Sequence, residues 1–286
     1  VTDEQALDFE KPDASHFAFR VVASQGGEEI SYALVRVNIT DANDNAPKFS
    51  FPSYRFSVNE DAPPHTSISV LQANDSDSGV FGNMSYSVKG FGSEKFLVNS
   101  STGEISVAPC GAQSACLDFE HQNLYSLTFS STDGGGRITS VNVFIDVIDV
   151  NDNPPSFDKV EYRRTVDEGV SYFDPPLFVK ASDVDGKDQG GGVVTFAIRD
   201  GNTADGAFRI DPSSGEIFIA RPLTHLDTPS SIYALTIRAT DAGTPPRHSD
   251  VRVLVTVGRD KNRPPRFSKQ VYYAKVRENA DPGKTI

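Results

Sequence analysis

The stretch Asp149-Val150-Asn151-Asp152-Asn153-Pro154-Pro155-Ser156-Phe157 constrains this chain more than any other, because it recurs. A copy 108 residues upstream reads Asp41-Ala42-Asn43-Asp44-Asn45-Ala46-Pro47-Lys48-Phe49. A degraded copy 110 residues downstream reads Arg259-Asp260-Lys261-Asn262-Arg263-Pro264-Pro265-Arg266-Phe267. Self-similarity at a fixed period of domain length means an array of like domains. Two Asp and two Asn in each clean copy present hard oxygen donors of the kind calcium takes. The prolines that follow cannot donate to a ladder and resist helix. Each copy therefore reads as an extended linker, and the Phe after it as the start of the next core.

The spacing divides the 286 residues into the C-terminal part of one repeat (1–45), two complete repeats (46–153 and 154–263) and the start of another (264–286). Each complete repeat is long enough to bury its own core. Leu124–Ser130, Val141–Val147, Tyr233–Ala239 and Val251–Val257 place apolar residues at alternate positions, the period of half-buried strands. Further strands are expected from Phe17 to Ala23 and from Tyr32 to Ile39. Turn signals such as Ser101-Thr102-Gly103 and Ser213-Ser214-Gly215 intervene, and no window carries a helical stripe. An all-β, antiparallel sandwich is the fold this pattern predicts. A net charge of -12 argues against a nucleic-acid partner and suits a chain neutralised by cations. No apolar run reaches the length of a membrane span. The chain begins and ends inside repeats, so any span is expected in a longer parent, outside this stretch.

Acidic residues recur at constant offsets inside the repeats. A Glu follows each linker Phe by 11 residues: Glu60, Glu168 and Glu278. Fifteen residues after Glu60 and Glu168 come the pairs Asp75 with Asp77 and Asp183 with Asp185. Fifty-eight residues beyond the first of each pair lies another Asp, Asp133 or Asp241. The cores repeat as well: Phe96-x-Val98 then Gly103-Glu104-Ile105 parallels Phe208-x-Ile210 then Gly215-Glu216-Ile217. Surface acid alone does not keep such spacing.

D-x-N-D-N-x-P-x-F, with these companions, resembles the linker between repeats of the cadherin superfamily, and the resemblance covers the whole chain. It implies tandem seven-strand Greek-key (immunoglobulin-like) sandwiches in a rod, with three Ca2+ ions at each complete junction. Carried over residue by residue, it assigns metal ligation at the second junction to Glu60, Asp118, Glu120, Asp149, Asn151, Asp152, Asn153, Asp183, Asp185 and Asp241. Three divalent ions would neutralise six of the eight carboxylates in that set. At the first junction it assigns Asp8, Glu10, Asp41, Asn43, Asp44, Asn45, Asp75, Asp77 and Asp133. The third junction departs from the pattern. Pro229 stands where the second acid of Leu226-Asp227-Thr228 should be, and Arg259, Lys261 and Arg263 stand among the expected oxygen donors. A guanidinium cannot ligate a cation, so few ions or none are expected there. Gln25 likewise replaces the late Asp.

The resemblance further implies the extracellular part of a single-pass plasma-membrane protein. Its implied function is calcium-dependent cell–cell adhesion, with the same or another cadherin on a neighbouring cell as partner. The irregular third linker points to a long, non-classical member. A receptor ectodomain that captures a soluble ligand is the alternative. An enzyme is not indicated: the five His are scattered without an H-E-x-x-H pair, and no G-x-S-x-G elbow occurs. Gly190-Gly191-Gly192 lacks the Lys of a phosphate loop and reads as a flexible loop. An EF-hand at Asp75 fails because position 12 of its loop is Tyr86. Cys110 and Cys116 are close enough for a local disulfide, with free thiols the alternative. Four N-x-S/T sequons, at Asn38, Asn74, Asn83 and Asn99, fit the secretory pathway.

Overall fold

A computed structural model describes residues 7–11, 16–111, 115–185, 192–202, 206–224 and 230–258, together with 275 and 278. The described residues form β-structure with one short 3-10 turn and no α-helix. They divide into two compact units. The first comprises Val1–Asn153 with Val184–Gly192 and Gly243–Pro245; the second comprises Pro154–Asp183, Val193–Ala242 and Pro246–Ile286.

The first unit opens with a hairpin of β1 (His16–Gln25) and β2 (Glu28–Asn38). Its two-residue loop is Gly26-Gly27, with φ of 66° and 96°. Positive φ at both central residues matches the twist of the flanking strands, which is why Gly-Gly sits there.

A seven-strand sandwich follows. One sheet runs in the order β3 (Ser53–Asn59), β9 (Ile138–Ile148), β8 (Leu124–Thr132), β5 (Ser85–Lys89). The other runs β4 (Ser67–Val70), β7 (Glu104–Val107), β6 (Phe96–Val98). Strand β8 alternates exposed and buried residues along its length, so Tyr125, Leu127 and Phe129 enter one core with Val143, Ile145, Ile105 and Val107. Phe49, the residue closing the first linker, packs 6.0 Å edge-on from Phe129, so the linker runs directly into the core.

The second unit repeats this plan. Its main sheet is β11 (Glu161–Asp167), β18 (His248–Gly258), β17 (Ile232–Thr240), β14 (Thr195–Asp200). The facing sheet is β12 (Leu177–Phe178), β16 (Glu216–Ile219), β15 (Phe208–Ile210). A small ladder pairs β10 (Ser156–Phe157) with β13 (Ala181–Ser182). Its core gathers Phe208, Tyr233, Leu235, Ile237, Val253 and Val255, and Phe157 stands 6.3 Å from Phe196.

The sheets are not purely antiparallel. In each sandwich the first long strand pairs parallel with the last, from Ser53↔Asn142 to Asn59↔Ile148 and from Glu161↔Arg252 to Asp167↔Gly258. The Greek-key path imposes this, because both strands run toward the end of the repeat where the next linker starts. The ladder then places the early Glu. Glu60 N donates to Ile148 O at 3.0 Å, and Glu168 N to Gly258 O at 3.1 Å. The constant 11-residue offset from Phe to Glu is thus the length of chain that carries a carboxylate across the repeat to the next linker.

Candidate metal centre

The first cluster lies wholly in the first unit. Glu10, Asp41 and Asp77 bring one carboxylate oxygen each within 4.8 Å of the others. They come from the partial repeat, the linker and the second repeat. Asp77 is 5 % exposed and is held by Asn45, whose backbone N reaches its Oδ2 at 3.2 Å and whose Nδ2 reaches its Oδ1 at 2.6 Å. Asp75 Oδ1 accepts from Asp77 N at 3.0 Å, and Asp41 Oδ2 from Ser78 N at 2.7 Å. Asp44 Oδ1 accepts from Asn45 Nδ2 at 2.9 Å.

Asp133 is 5 % exposed. Burial works against its charge, but N–H groups of Arg137, Gly135 and Gly136 hold its carboxyl below the usual range. Asp8 turns to Lys11, 2.9 Å away, which holds its carboxyl low. It is not a member of the close triad.

The second cluster is built on Glu60, which is 2 % exposed. Its Oε2 accepts from Phe119 N at 2.8 Å and its Oε1 from Val150 N at 2.7 Å. One side chain therefore fixes both the turn at 118–120 and the start of the second linker. Glu60, Glu120 and Asp149 form one close triad, and Glu120, Asp152 and Asp185 another. Asn153 repeats the role of Asn45, donating to Asp185 from N at 3.1 Å and from Nδ2 at 2.8 Å. Asn151 Nδ2 donates to Pro245 O at 2.7 Å.

Asp118 is exposed, and its Oδ1 accepts from His121 N at 2.8 Å in the turn that carries Glu120. Asp183 follows β13, and Asp241 follows β17 in the second unit, where it accepts from Arg247 N at 2.9 and 3.0 Å. Neither belongs to a close triad. The degraded third linker and Asp227 lie outside the described residues.

The electrostatics of both clusters fit a cation. Burial raises the Glu10 carboxyl, and the charges of Asp44 and Asp41 raise it further. Burial, then Asp152 and Asp149, raise Glu60. Glu120 is pushed up to about 7, by burial first and then by Glu60, Asp185 and Asp149. Among the described residues, Glu10 Oε1, Asp41 Oδ1 and Asp75 Oδ2 are buried and accept no hydrogen bond. Buried polar atoms ordinarily have partners. The Asn43 amide nitrogen, turned toward the two carboxylates, donates to Asp133 Oδ2 at 3.2 Å and to Asp77 Oδ2 at 3.1 Å. An all-oxygen, carboxylate-rich donor set is that of calcium rather than of zinc or copper.

Two features escaped the sequence reading. A Cβ at Gly135 would overlap the Asn43 side chain, and a Cβ at Gly243 would overlap Asn151. Glycine two residues after the late Asp is thus required by the linker asparagine, and the pattern D-x-G in both repeats was the available signal. Arg137 and Arg247 each donate their N–H to that Asp, and Arg137 Nε also reaches Asn43 O at 2.9 Å. Cys110 and Cys116 form a disulfide with Cα atoms 5.4 Å apart. Lys95 Nζ donates to Cys116 O at 2.9 Å, so the loop leading to Asp118 is tied at two points.

Comparison with known proteins decides the family. The cadherin domain model matches residues 54–148 and 162–258. This chain belongs to the cadherin family. It is 32 % identical over 283 residues to cadherin-23 of Mus musculus, covering 98 % of this chain and 8 % of that protein. It is 36 % identical over 296 residues to the protocadherin-like wing polarity protein stan of Drosophila melanogaster, covering 100 % of this chain and 8 % of the relative. Among solved structures, mouse cadherin-23 EC22-24 aligns with a TM-score of 0.72 at 31 % identity, over 88 % of this chain and 77 % of that one. The protocadherin GammaB4 extracellular domain aligns with a TM-score of 0.70 at 32 % identity, over 89 % of this chain and 39 % of that one. The chain thus spans a small part of these curated relatives. It consists of tandem cadherin repeats.

Proposed function

We propose that this chain is a calcium-braced segment of a cell-surface adhesion protein, whose cadherin repeats are held in fixed relation by ions bound at their linkers. The observation that carries this reading is the meeting of Glu10, Asp41 and Asp77 within 4.8 Å, because they come from one repeat, the linker and the next repeat. Glu10, Asp41, Asn43, Asp44, Asn45, Asp75, Asp77 and Asp133 would hold the ions there, with Asp8, whose side chain meets both Lys11 and Glu10, beside them. At the second linker Glu60, Glu120, Asp149, Asn151, Asp152, Asn153 and Asp185 would do so. Asp118, Asp183 and Asp241 are candidates there on sequence offset. A divalent cation supplies the positive charge these sets lack. Without it, each close carboxylate pair costs about 1 kcal/mol in water and several times more at lower dielectric. Repulsion between residues of different repeats is then repulsion between the repeats. With it, Asn45 and Ser78 keep the carboxylates aimed at one point, so the order of the linker and the order of the site are one equilibrium.

Adhesion to the same or another cadherin on a neighbouring cell, from an extracellular position, is the function this design serves. The test is calcium titration of the purified chain by calorimetry with thermal melts. Binding at about 10⁻⁴–10⁻³ M, the range of extracellular calcium modules, is expected, with a rise in melting temperature that chelator reverses. Melts that ignore millimolar calcium would overturn the reading. Bead aggregation with the parent ectodomain, with and without chelator, tests adhesion. Capture of a soluble partner without aggregation would favour a ligand receptor instead.

A further inference from the structure

We infer that the β5–β6 edge of the second repeat carries N-linked oligosaccharides on Asn83 and Asn99, and that these protect two edge strands that have little charge of their own. β5 and β6 are the terminal strands of their sheets. Tyr86 binds them together: its N donates to Ser100 O at 2.9 Å, and its hydroxyl accepts from Ala73 N at 3.2 Å. The sequons at Asn83 and Asn99 therefore lie at one end of one edge, while Asn74 follows β4 at the opposite edge of its sheet, and all three asparagines are exposed. Asn74 has its backbone locked to Lys48 and lies beside Asp75 of the metal cluster, so the assignment rests on the other two.

The third repeat supplies the comparison. Phe196 N donates to Pro212 O at 2.9 Å as Tyr86 N does to Ser100 O, which aligns the two edges. Asn99 Oδ1 accepts from Ser101 N at 3.0 Å and Thr102 N at 3.2 Å, closing the turn after β6. Asp211 Oδ1 accepts from Ser213 N at 3.0 Å and Ser214 N at 2.8 Å in the same turn after β15. The turn needs only the oxygen. The Nδ2 of Asn99 is surplus to folding and points away from the bonded oxygen, with Ser101 completing the sequon. Asn83 makes no side-chain hydrogen bond among the described residues, and Ser85 completes its sequon.

The third repeat has no sequon, and its edge carries exposed Arg199, Asp200 and Arg209. On the second repeat only Lys89 answers these. Leu97, 40 % exposed, stands where Arg209 stands. Exposed edge strands invite pairing with other chains, and charge or cover is the usual protection. One repeat uses charge and the other uses sugar. The reaction takes the oligosaccharide from a lipid-linked pyrophosphate donor: the C1–O bond to pyrophosphate breaks, C1–Nδ2 forms, and Nδ2 gives up one proton.

The test is secretion of the full chain from animal cells, followed by peptide mapping after glycosidase release in ¹⁸O water, which marks each formerly glycosylated Asn. Label at both Asn83 and Asn99 is expected. Absence at either overturns the assignment. The state of Cys110–Cys116 in the same map then tells whether the extracellular placement fails with it. The double variant Asn83→Gln/Asn99→Asp keeps the turn as Asp211 does. A severalfold rise in its aggregated fraction by size-exclusion chromatography, at an unchanged melting temperature, is expected. No rise would overturn the protective role.

Discussion

Glu60→Gln should cost little in chelator and much in calcium. In chelator the native carboxylate is pulled both ways. It accepts two backbone N–H groups, at 2.8 and 2.7 Å, and hydrogen bonds to charged groups contribute about 1.5–3 kcal/mol each. It also sits 2 % exposed beside Asp149 and Asp152, where each like-charge contact costs about 1 kcal/mol or more. Its raised pKa says that burial and repulsion outweigh the N–H bonds. Gln keeps one acceptor, loses the other and removes the charge. The net change in chelator should therefore stay within about 1 kcal/mol, a shift of no more than roughly 4–8 °C for a domain of this size. In millimolar calcium the same substitution removes a ligand and loosens both the 118–120 turn and the linker. Loss of groups that orient a metal site weakens binding by about 10–100-fold, or about 1.4–2.7 kcal/mol. The calcium-saturated melting temperature should then fall by roughly 6–22 °C. Thermal melts of both proteins with calcium and with chelator make the measurement. Equal losses in the two conditions would mean that Glu60 serves only as an N–H acceptor, and the metal reasoning at this linker would fail.

Gly135→Ala and Gly243→Ala should displace Asn43 and Asn151 and weaken calcium binding about tenfold, read by calorimetry, with a smaller effect on melts in chelator. Replacing Cys110 and Cys116 by Ser should cost about 2 kcal/mol in denaturant unfolding. It should weaken the Glu120 site while leaving the Asp77 site as an internal control; weakening of both alike would refute a local role for the loop. Arg55→Ala breaks a paired contact to Asp146, with bonds of 2.7 and 2.6 Å. It lies on an exposed face, so the loss should not exceed about 1 kcal/mol. Phe129→Ala removes a fully buried ring packed against Phe49 and Tyr86 and should cost about 3–5 kcal/mol, enough to unfold the second repeat at body temperature in a calcium-free melt.

The candidate site was legible in the sequence because each of its parts is short and local. Asn-Asp-Asn with a following proline sets an extended linker, and the acids recur at offsets that count the residues of a strand out and back. The edges of the long strands were legible to within a few residues, since period-two alternation marks a half-buried strand. Other features depend on which segments come together, and a linear pattern does not state that. The parallel pairing of β3 with β9 follows from the path of the chain between them. Asp8 belongs to the acids by spacing, yet it also pairs with Lys11, and Asp118 spends an oxygen on the turn at His121. Gly135 and Gly243 matter only because an asparagine side chain from about 90 residues earlier arrives where their Cβ would stand. Residue type and spacing decided what chemistry this chain could hold. Close approach between distant segments decided which of those groups meet, because ligation and steric exclusion act over a few ångströms of space, whatever the distance along the chain.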